Sequence, residues 1–152
     1  MVYVRGLIEL KRGYFNGSVW NEERAFDFPL DSELNGSTLV VKLCANKALG
    51  GGGPSRILVE KTYSDSIRFP FAYEIEIPFE EVQNVKENRE QMTVSAVLNV
   101  GWSRDEKHWI RQGDWHNDTT FRVDENLESV KSDDVFEMNF HMVHYPLQKP
   151  RE

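Results

Sequence analysis

A strict alternation of apolar and polar residues between positions 67 and 82 constrains the fold more than any other feature of the sequence. In the segment IRFPFAYEIEIPFEEV, every second residue from position 69 to 77 is aromatic or a branched aliphatic, namely Phe69, Phe71, Tyr73, Ile75 and Ile77. A side-chain period of two is typical of a β-strand with one buried face and one solvent-facing side. Because Pro70 has no backbone donor and Pro78 ends the run, we predict that this strand lies at the margin of a sheet.

The same alternation recurs along the chain and predicts an all-β fold. Further strands are predicted at residues 2–10, 14–20, 25–29, 38–44, 56–63, 91–101, 107–112, 119–123 and 135–145. Turn signals separate them, and only residues 79–89 have helical spacing, so we expect one short helix or none. About eight or nine short strands with little helix favour a single antiparallel β-sandwich.

Length and composition indicate one domain. The chain has 152 residues, of which 39% are hydrophobic and 12% aromatic, and a chain of this length buries roughly two-thirds of the surface that its unfolded form exposes. We predict a β-sandwich domain at residues 1–145 and a flexible C-terminal tail at residues 146–152. The run NKALGGGGPS at residues 46–55 predicts a loop, because four consecutive glycines lose too much backbone entropy in a regular element.

Charge and targeting patterns narrow the class of partner and the location. A formal net charge of -7 argues against nucleic acid or an anionic membrane as the main partner. No apolar run approaches the roughly 20 residues that span a bilayer, and the N-terminus lacks the pattern of a signal peptide. We expect a cytoplasmic protein as the chain stands, or a periplasmic or secreted one if a leader has been removed. The oligomeric state is left open.

The residues that usually carry chemistry do not form a recognisable site. His141 and His144 are three apart in a predicted strand and so point to opposite faces, while His116 and Asp118 make only two candidate ligands, too few for a metal. The glycines at 50–53 lack the lysine and the strand-to-helix context of a phosphate-binding loop. We therefore predict a protein that is not an enzyme and that has no cofactor or metal.

A cluster of tryptophans with basic neighbours is the best candidate for a binding surface. Aromatic rings beside basic groups can stack a sugar, a base or a peptide side chain, and tryptophan is enriched in binding hot spots. The predicted site comprises Trp102, Arg104, His108, Trp109, Arg111 and Trp115. The alternative is that Trp102 and Trp109 are core or cross-strand residues.

The order of several segments carries a family resemblance. The segments are VRGLIEL at 4–10, ERAFDFP at 23–29, STLVVKL at 37–43, IRFPF at 67–71, EIPF at 76–79 and MTVSAVL at 92–98. Over about residues 4–123 the chain resembles the type III secretion pilotins and related lipoproteins of the YscW and YbaY type. The resemblance implies a small antiparallel β-sandwich without catalytic residues that acts as a binding partner or chaperone for another protein.

Two functional hypotheses follow from these patterns. The leading one is a non-enzymatic, chaperone-like or pilotin-like module that binds another protein through a sheet edge or through the tryptophan region. Because Pro70 and the solvent-facing Glu74 and Glu76 protect the predicted margin, pairing at an edge ranks below binding at the tryptophans. The second is a small-ligand or glycan binder that uses Trp102, Trp109 and Trp115.

Overall fold

Strands make up most of the part of the chain that this computed structural model describes, which is residues 1–11, 14–16, 19–21, 34–47, 56–117, 121–123 and 129–145. The strands are β1 (Val2–Lys11), β2 (Tyr14–Asn16), β3 (Val19–Asn21), β4 (Thr38–Lys47), β5 (Arg56–Tyr63), β6 (Phe71–Ile77), β7 (Glu90–Asn99), β8 (Trp115–His116), β9 (Phe121–Arg122), β10 (Val135–Glu137) and β11 (Phe140–His144). The helix α1 (Phe79–Glu87) lies between β6 and β7. The predicted all-β class and the single short helix are confirmed in these ranges.

Nine of the described strands form one curled sheet. Its order is β10–β1–β11–β8–β7–β4–β5, with β6 also paired to β1 and β9 to β7, while β2 and β3 form a separate antiparallel pair. Strand β6 runs antiparallel to β1, with Val2 opposite Ile77 and Ile8 opposite Phe71. Strands β10 and β11 follow one another along the other edge of β1, and both are parallel to it.

The predicted sandwich of two stacked sheets is not confirmed, because the main strands are hydrogen-bonded into one open half-barrel. An alternating pattern identifies which side chains are buried, but a curled sheet and two facing sheets bury them equally well. The sequence pattern predicted antiparallel strands only. It did not predict that β1 pairs in parallel with β10 and β11. The strand predicted at 107–112 is wrong, since these residues form turns and bends.

Strands β5 and β6 lie at the two margins of the sheet, and side chains bridge the gap between them. The Tyr63 hydroxyl of β5 donates to the Glu74 carbonyl oxygen of β6 at 3.2 Å, and Lys61 Nζ donates to the same oxygen at 3.0 Å. The Tyr63 ring packs edge-on against Phe71, with 4.8 Å between ring centroids. Among the described strands β6 pairs with β1 alone, so the marginal position predicted for it is confirmed.

The core lies on one face of the curled sheet, and the alternation predicts such one-sided burial. Within β6, Tyr73, Ile75 and Ile77 are buried, whereas the residues between them are exposed. Helix α1 adds Val82 and Val85, which are fully buried, and Arg56 Nη1 of β5 lies 3.7 Å from Glu81 Oε2 of the helix. The other strands contribute mainly Val2, Val4, Ile8, Leu39, Val41, Leu43, Met92, Val94, Leu98, Phe140 and Met142.

Several predictions fall wholly or partly outside the described residues. These are the strand at 25–29, parts of the strands at 14–20 and 119–123, most of the glycine loop at 46–55 and the tail at 146–152. The division into a domain and a tail therefore stays a prediction. The described helix is too short and too polar to cross a bilayer.

A glycine allows the C-terminal strands to pair closely with β1. Between β10 and β11, the Met138 N–H donates to the Arg5 carbonyl at 2.9 Å, and the Leu7 N–H donates to Asn139 Oδ1 at 2.8 Å, so a side chain replaces one backbone acceptor. A Cβ atom on Gly6 would clash with the Met138 carbonyl and lie 2.6 Å from its carbon. Only glycine fits here without a shift of the neighbouring backbone.

We predict that Gly6→Ala lowers the free energy of unfolding by about 3 kcal/mol, because backbone atoms must move to admit the methyl group. Gly36→Ala is the control, since its Cβ would meet nothing within 4 Å and only its left-handed backbone, at φ +74°, opposes the change; that strain costs about 1 kcal/mol. Urea unfolding of both variants checks this. Equal losses for the two variants would contradict the role of the close contact at Gly6.

Candidate functional site

The tryptophan region predicted from the sequence forms a long loop between β7 and β8. We define residues 100–114 as the tryptophan loop, which contains five of the six predicted site residues: Trp102, Arg104, His108, Trp109 and Arg111. The sixth, Trp115, is the first residue of β8. The region is thus contiguous in space as well as in sequence, but its members differ in exposure.

A buried carboxylate at the end of the loop holds the loop together. Asp114 Oδ1 accepts from the Val100 N–H at 2.9 Å, and Oδ2 accepts from the Arg111 N–H at 2.8 Å. The Trp102 indole Nε1 lies 3.1 Å from both oxygens, and Asn99 Nδ2 donates to Oδ2 at 3.1 Å. Hydrogen bonds to an ionised group are among the strong ones in proteins. Asp114 therefore ties the two ends of the loop to each other.

Polar side chains at the adjacent ends of β4 and β7 extend this network. The buried Asn99 also donates through Nδ2 to the Trp109 carbonyl at 3.0 Å. The Thr38 hydroxyl lies 3.3 Å from the Trp102 carbonyl and can donate to it, and the Gly101 N–H donates to Ser37 Oγ at 2.7 Å. The backbone of the loop is consequently fixed to the sheet at several points.

The loop contacts the face of β4 and β5 that lies opposite the core. Arg104 forms an ion pair with Glu60 of β5, whose partner in the register with β4 is Lys42. Burial, together with the nearby Arg104 charge, lowers the pKa of Lys42. Val40 and Val97, which face each other on β4 and β7, are buried although they alternate with the residues that face the core. Both faces of the sheet are therefore covered at this point.

Trp109 is the exposed member of the predicted tryptophan set. Its side chain is 53% exposed, while its carbonyl is held by Asn99. Beside it along the chain, His108 is also exposed, with Nδ1 3.3 Å from Asp105 Oδ1. That carboxylate accepts the Lys107 and His108 N–H groups at 2.8 Å, and these backbone bonds lower the pKa of Asp105. An indole thus projects from a loop whose backbone is well supported.

Trp102 is half-buried and is partly covered by a cation. The Arg111 guanidinium carbon lies 3.9 Å from the Trp102 ring centroid, a cation–π arrangement that fixes both side chains. The outer part of Arg111 remains exposed. Trp102 and Arg111 thus contact each other, and their role in binding a partner stays a prediction.

The inclusion of Trp115 in a binding surface is wrong for this structure. Trp115 is 1% exposed and belongs to the hydrophobic core. It lies between β7 and β11, opposite Leu98 and His144, and its ring packs edge-on against the His144 ring at 5.0 Å. Because β8 is paired on both edges and its first side chain points inward, this indole cannot reach a partner.

Asp114 and Asn99 are the residues that sequence reasoning missed. In the sequence, Gly113-Asp114 has the pattern of a turn, and Asn99 is one polar residue among several at the end of a strand. The one sequence signal for this pair is Asn99, a polar residue at the end of an apolar strand. It indicates a buried hydrogen-bond network only when its buried partner, Asp114, is known.

The described residues contain no group of three or more His, Cys, Asp or Glu side chains placed to hold a metal ion. Cys44 is half-buried in β4, and burial raises the pKa of its thiol. A raised pKa disfavours the thiolate that nucleophilic chemistry needs. The arrangement with the clearest functional character is therefore the exposed part of the tryptophan loop.

The fold is similar to that of a known secretion protein. An alternative pilotin from the type II secretion system of Vibrio cholerae superimposes with a TM-score of 0.55 over 94% of this chain and 96% of that chain, at 11% sequence identity. At this identity the similarity concerns the fold alone. No protein-family model matches the chain, and no curated protein matches it. The chain has a pilotin-like fold, and the likeness does not single out the YscW and YbaY type.

We predict that Asp114→Asn lowers the free energy of unfolding by about 3 kcal/mol, because an amide nitrogen would face donors that now share an ionised acceptor. The Trp102 indole should also lose one of its two acceptor oxygens, so the tryptophan emission spectrum should shift. Glu106→Gln is the control, since Glu106 is an exposed carboxylate of the same loop. Urea unfolding followed by fluorescence measures both effects, and an Asp114→Asn variant as stable as the wild type would rule out the anchoring role.

We predict that the protein loses stability in mild acid because of His144. Burial lowers the pKa of His144 below 6.5, although the Gly113 backbone and the Asp114 carboxylate act in the opposite direction. As the pH falls below the pKa of His144 in the unfolded chain, the unfolded chain binds a proton that the folded chain binds less readily. The free energy of unfolding therefore decreases, and it stops decreasing once the pH is below the pKa of His144 in the folded chain.

His144→Gln should reduce this loss of stability between about pH 7.5 and about pH 5.5, whereas His108→Gln, at an exposed position, should not. Unfolding midpoints in urea at the two pH values provide the measurement. The same acid-induced loss in His144→Gln as in the wild type would refute the assignment.

Proposed function

We propose that this chain is a non-enzymatic, pilotin-like domain that binds another protein and acts toward it as a chaperone. The observation that carries the proposal is the likeness in fold to the alternative pilotin of Vibrio cholerae, which extends over nearly the whole of both chains. The more specific assignment to the YscW and YbaY type is part of the proposal and is supported by the segments at 67–79 and 92–98.

The surface that we assign to the partner is the exposed part of the tryptophan loop. Trp109 offers a large apolar side chain that is 53% exposed, and Arg111 offers a cation that is held over Trp102. Because Asp114 and Asn99 fix the loop backbone, a partner would not need to order it on binding, which lowers the entropic cost of association. Exposed tryptophan and arginine are the residue types that dominate interface energies.

The glycan-binding alternative has less support. A sugar ring stacks on an open aromatic face, and the hypothesis required three such faces. Trp115 is buried, and one side of the Trp102 ring lies under Arg111. Trp109 alone of these three keeps a large exposed area, which suits one anchor of a protein interface better than a sugar-binding platform.

We predict that Trp109→Ala weakens partner binding about 30-fold while leaving the fold intact. Ile57→Ala is a matched control, because Ile57 is an apolar residue of β5 with the same 53% exposure. The wild type and both variants would be immobilised, exposed to an extract of the native cells and analysed by quantitative mass spectrometry. At least one protein should be retained by the wild type and Ile57→Ala but reduced about 30-fold by Trp109→Ala, as for a hot-spot residue.

Two outcomes would argue against the proposal. One is a partner that stays bound to Trp109→Ala, which would remove the tryptophan loop from the interface. The other is the absence of any specific partner together with a monomeric profile at high concentration, which would remove the binding function. Tryptophan fluorescence titrated with a glycan panel tests the alternative, since an unchanged spectrum for every glycan eliminates it.

A further inference from the structure

The outer edge of β6 presents main-chain groups that have no strand partner in the described structure. The Glu74 N–H and carbonyl oxygen both point away from β1, because they contact the Tyr63 hydroxyl at 3.3 and 3.2 Å. In an antiparallel pair, the main-chain groups of residues two apart point the same way. Ala72 and Glu76 therefore direct their N–H and carbonyl groups outward as well. We name Ala72, Glu74 and Glu76 the β6 edge.

The Tyr63 hydroxyl occupies the place of a neighbouring strand at the middle of this edge. It can donate to the Glu74 carbonyl and accept from the Glu74 N–H, which are the two bonds that an opposing strand residue would make. Lys61 Nζ adds a second donor to the same carbonyl. These are side-chain contacts from the half-buried Tyr63 and the exposed Lys61, so they can be exchanged for a backbone partner without breaking any pair of strands in the sheet.

A groove next to the edge has room for the side chains of such a partner. The groove has a volume of about 570 Å³ and crosses β1, β6 and the margin of β5. Its apolar floor includes Leu7, which is 42% exposed, and Ala72. Lys61 and Tyr63 line one side, and Glu137 and Asn139 line the other.

The charges along the edge favour a basic segment. Glu74 and Glu76 are exposed and two residues apart, so their side chains lie on the same face, and the whole chain has a net charge of -7. Arg5 lies opposite Glu74 on β1, and its Nη2 atom also forms an ion pair with Glu137 Oε1 at 3.7 Å. Opposite charges in facing positions stabilise strand pairs, whereas like charges destabilise them.

We propose that the β6 edge binds an extended segment of a partner protein, with basic side chains at alternate positions, by adding it as a strand beside β6. Main-chain hydrogen bonds supply affinity in this mode, and alternate side chains supply specificity. Glu74 and Glu76 would face the basic side chains, and the groove would receive an apolar residue. This surface is separate from the tryptophan loop and goes beyond the function proposed above.

A synthetic peptide of about seven residues, in which lysine alternates with threonine or valine, is the probe. NMR titration of the intact chain and hydrogen exchange report on individual amides. The peptide should shift the resonances of residues 72–76 and slow exchange at Ala72 and Glu76 about tenfold. The same peptide with alternate backbone nitrogens methylated lacks donors and should bind at least tenfold more weakly, and a peptide with glutamate for lysine should bind more weakly still.

Variants of the chain separate edge pairing from other modes. Tyr63→Phe removes the competing hydroxyl and should strengthen peptide binding about threefold to tenfold, whereas Tyr3→Phe should not. Ala72→Pro removes an outward donor without removing a bond to β1 and should weaken binding. Trp109→Ala should bind the peptide as the wild type does, so failure at the tryptophan loop and failure at the β6 edge are distinguishable.

Three results would overturn the proposal. The first is equal binding of the methylated and unmodified peptides, and the second is an unchanged spectrum at residues 72–76 with every peptide. The third is protection of Ala72 and Glu76 that grows with protein concentration in the absence of peptide, which would identify a second copy of the chain as the occupant.

Discussion

The curled sheet depends on β1 being hydrogen-bonded along both of its edges. One edge pairs antiparallel with β6 in the middle of the chain, and the other pairs in parallel with β10 and β11 near the C-terminus. Gly6 allows the second pairing because the Met138 carbonyl lies where any side chain would be. The Tyr73 hydroxyl reinforces the junction by donating to that carbonyl at 2.6 Å. Segments far apart in sequence are thus brought together at one strand.

This two-sided pairing has consequences for both candidate surfaces. It leaves the outer edge of β6 without a strand partner among the described residues, and the Tyr63 side chain occupies the middle of that edge. It also brings β11 beside β8, so that His144 packs against Trp115 and the Asp114 carbonyl accepts from the Tyr145 N–H at 2.7 Å. The residue that organises the tryptophan loop is therefore itself held by the C-terminal strand. The pairing of β1 on both edges therefore accounts both for the support of the tryptophan loop and for the exposure of the β6 edge.

The candidate site was only partly predictable from the sequence. Clustering of tryptophans with basic residues selected residues that the structure places mostly in one loop, although the sequence predicted a strand at 107–112, and spacing could not distinguish the exposed Trp109 from the buried Trp115. The burial of a side chain depends on what covers its face of the sheet. Here Val40 and Val97 are buried on the face that the alternation assigns to solvent. In the sequence Asp114 has only the pattern of a turn, because four of its five side-chain hydrogen bonds come from Asn99, Val100 and Trp102, which folding brings to it.

The sequence alone determined the class of the fold and the inward residues of its long strands. Alternation is a local property, and the buried set Tyr73, Ile75 and Ile77 follows directly from it. The tertiary structure decided that the strands form one half-barrel rather than two stacked sheets, that β1 has parallel neighbours, and that Trp109 rather than Trp115 faces outward. These outcomes depend on pairing between distant segments, since a strand carries the same pattern whichever strand lies beside it.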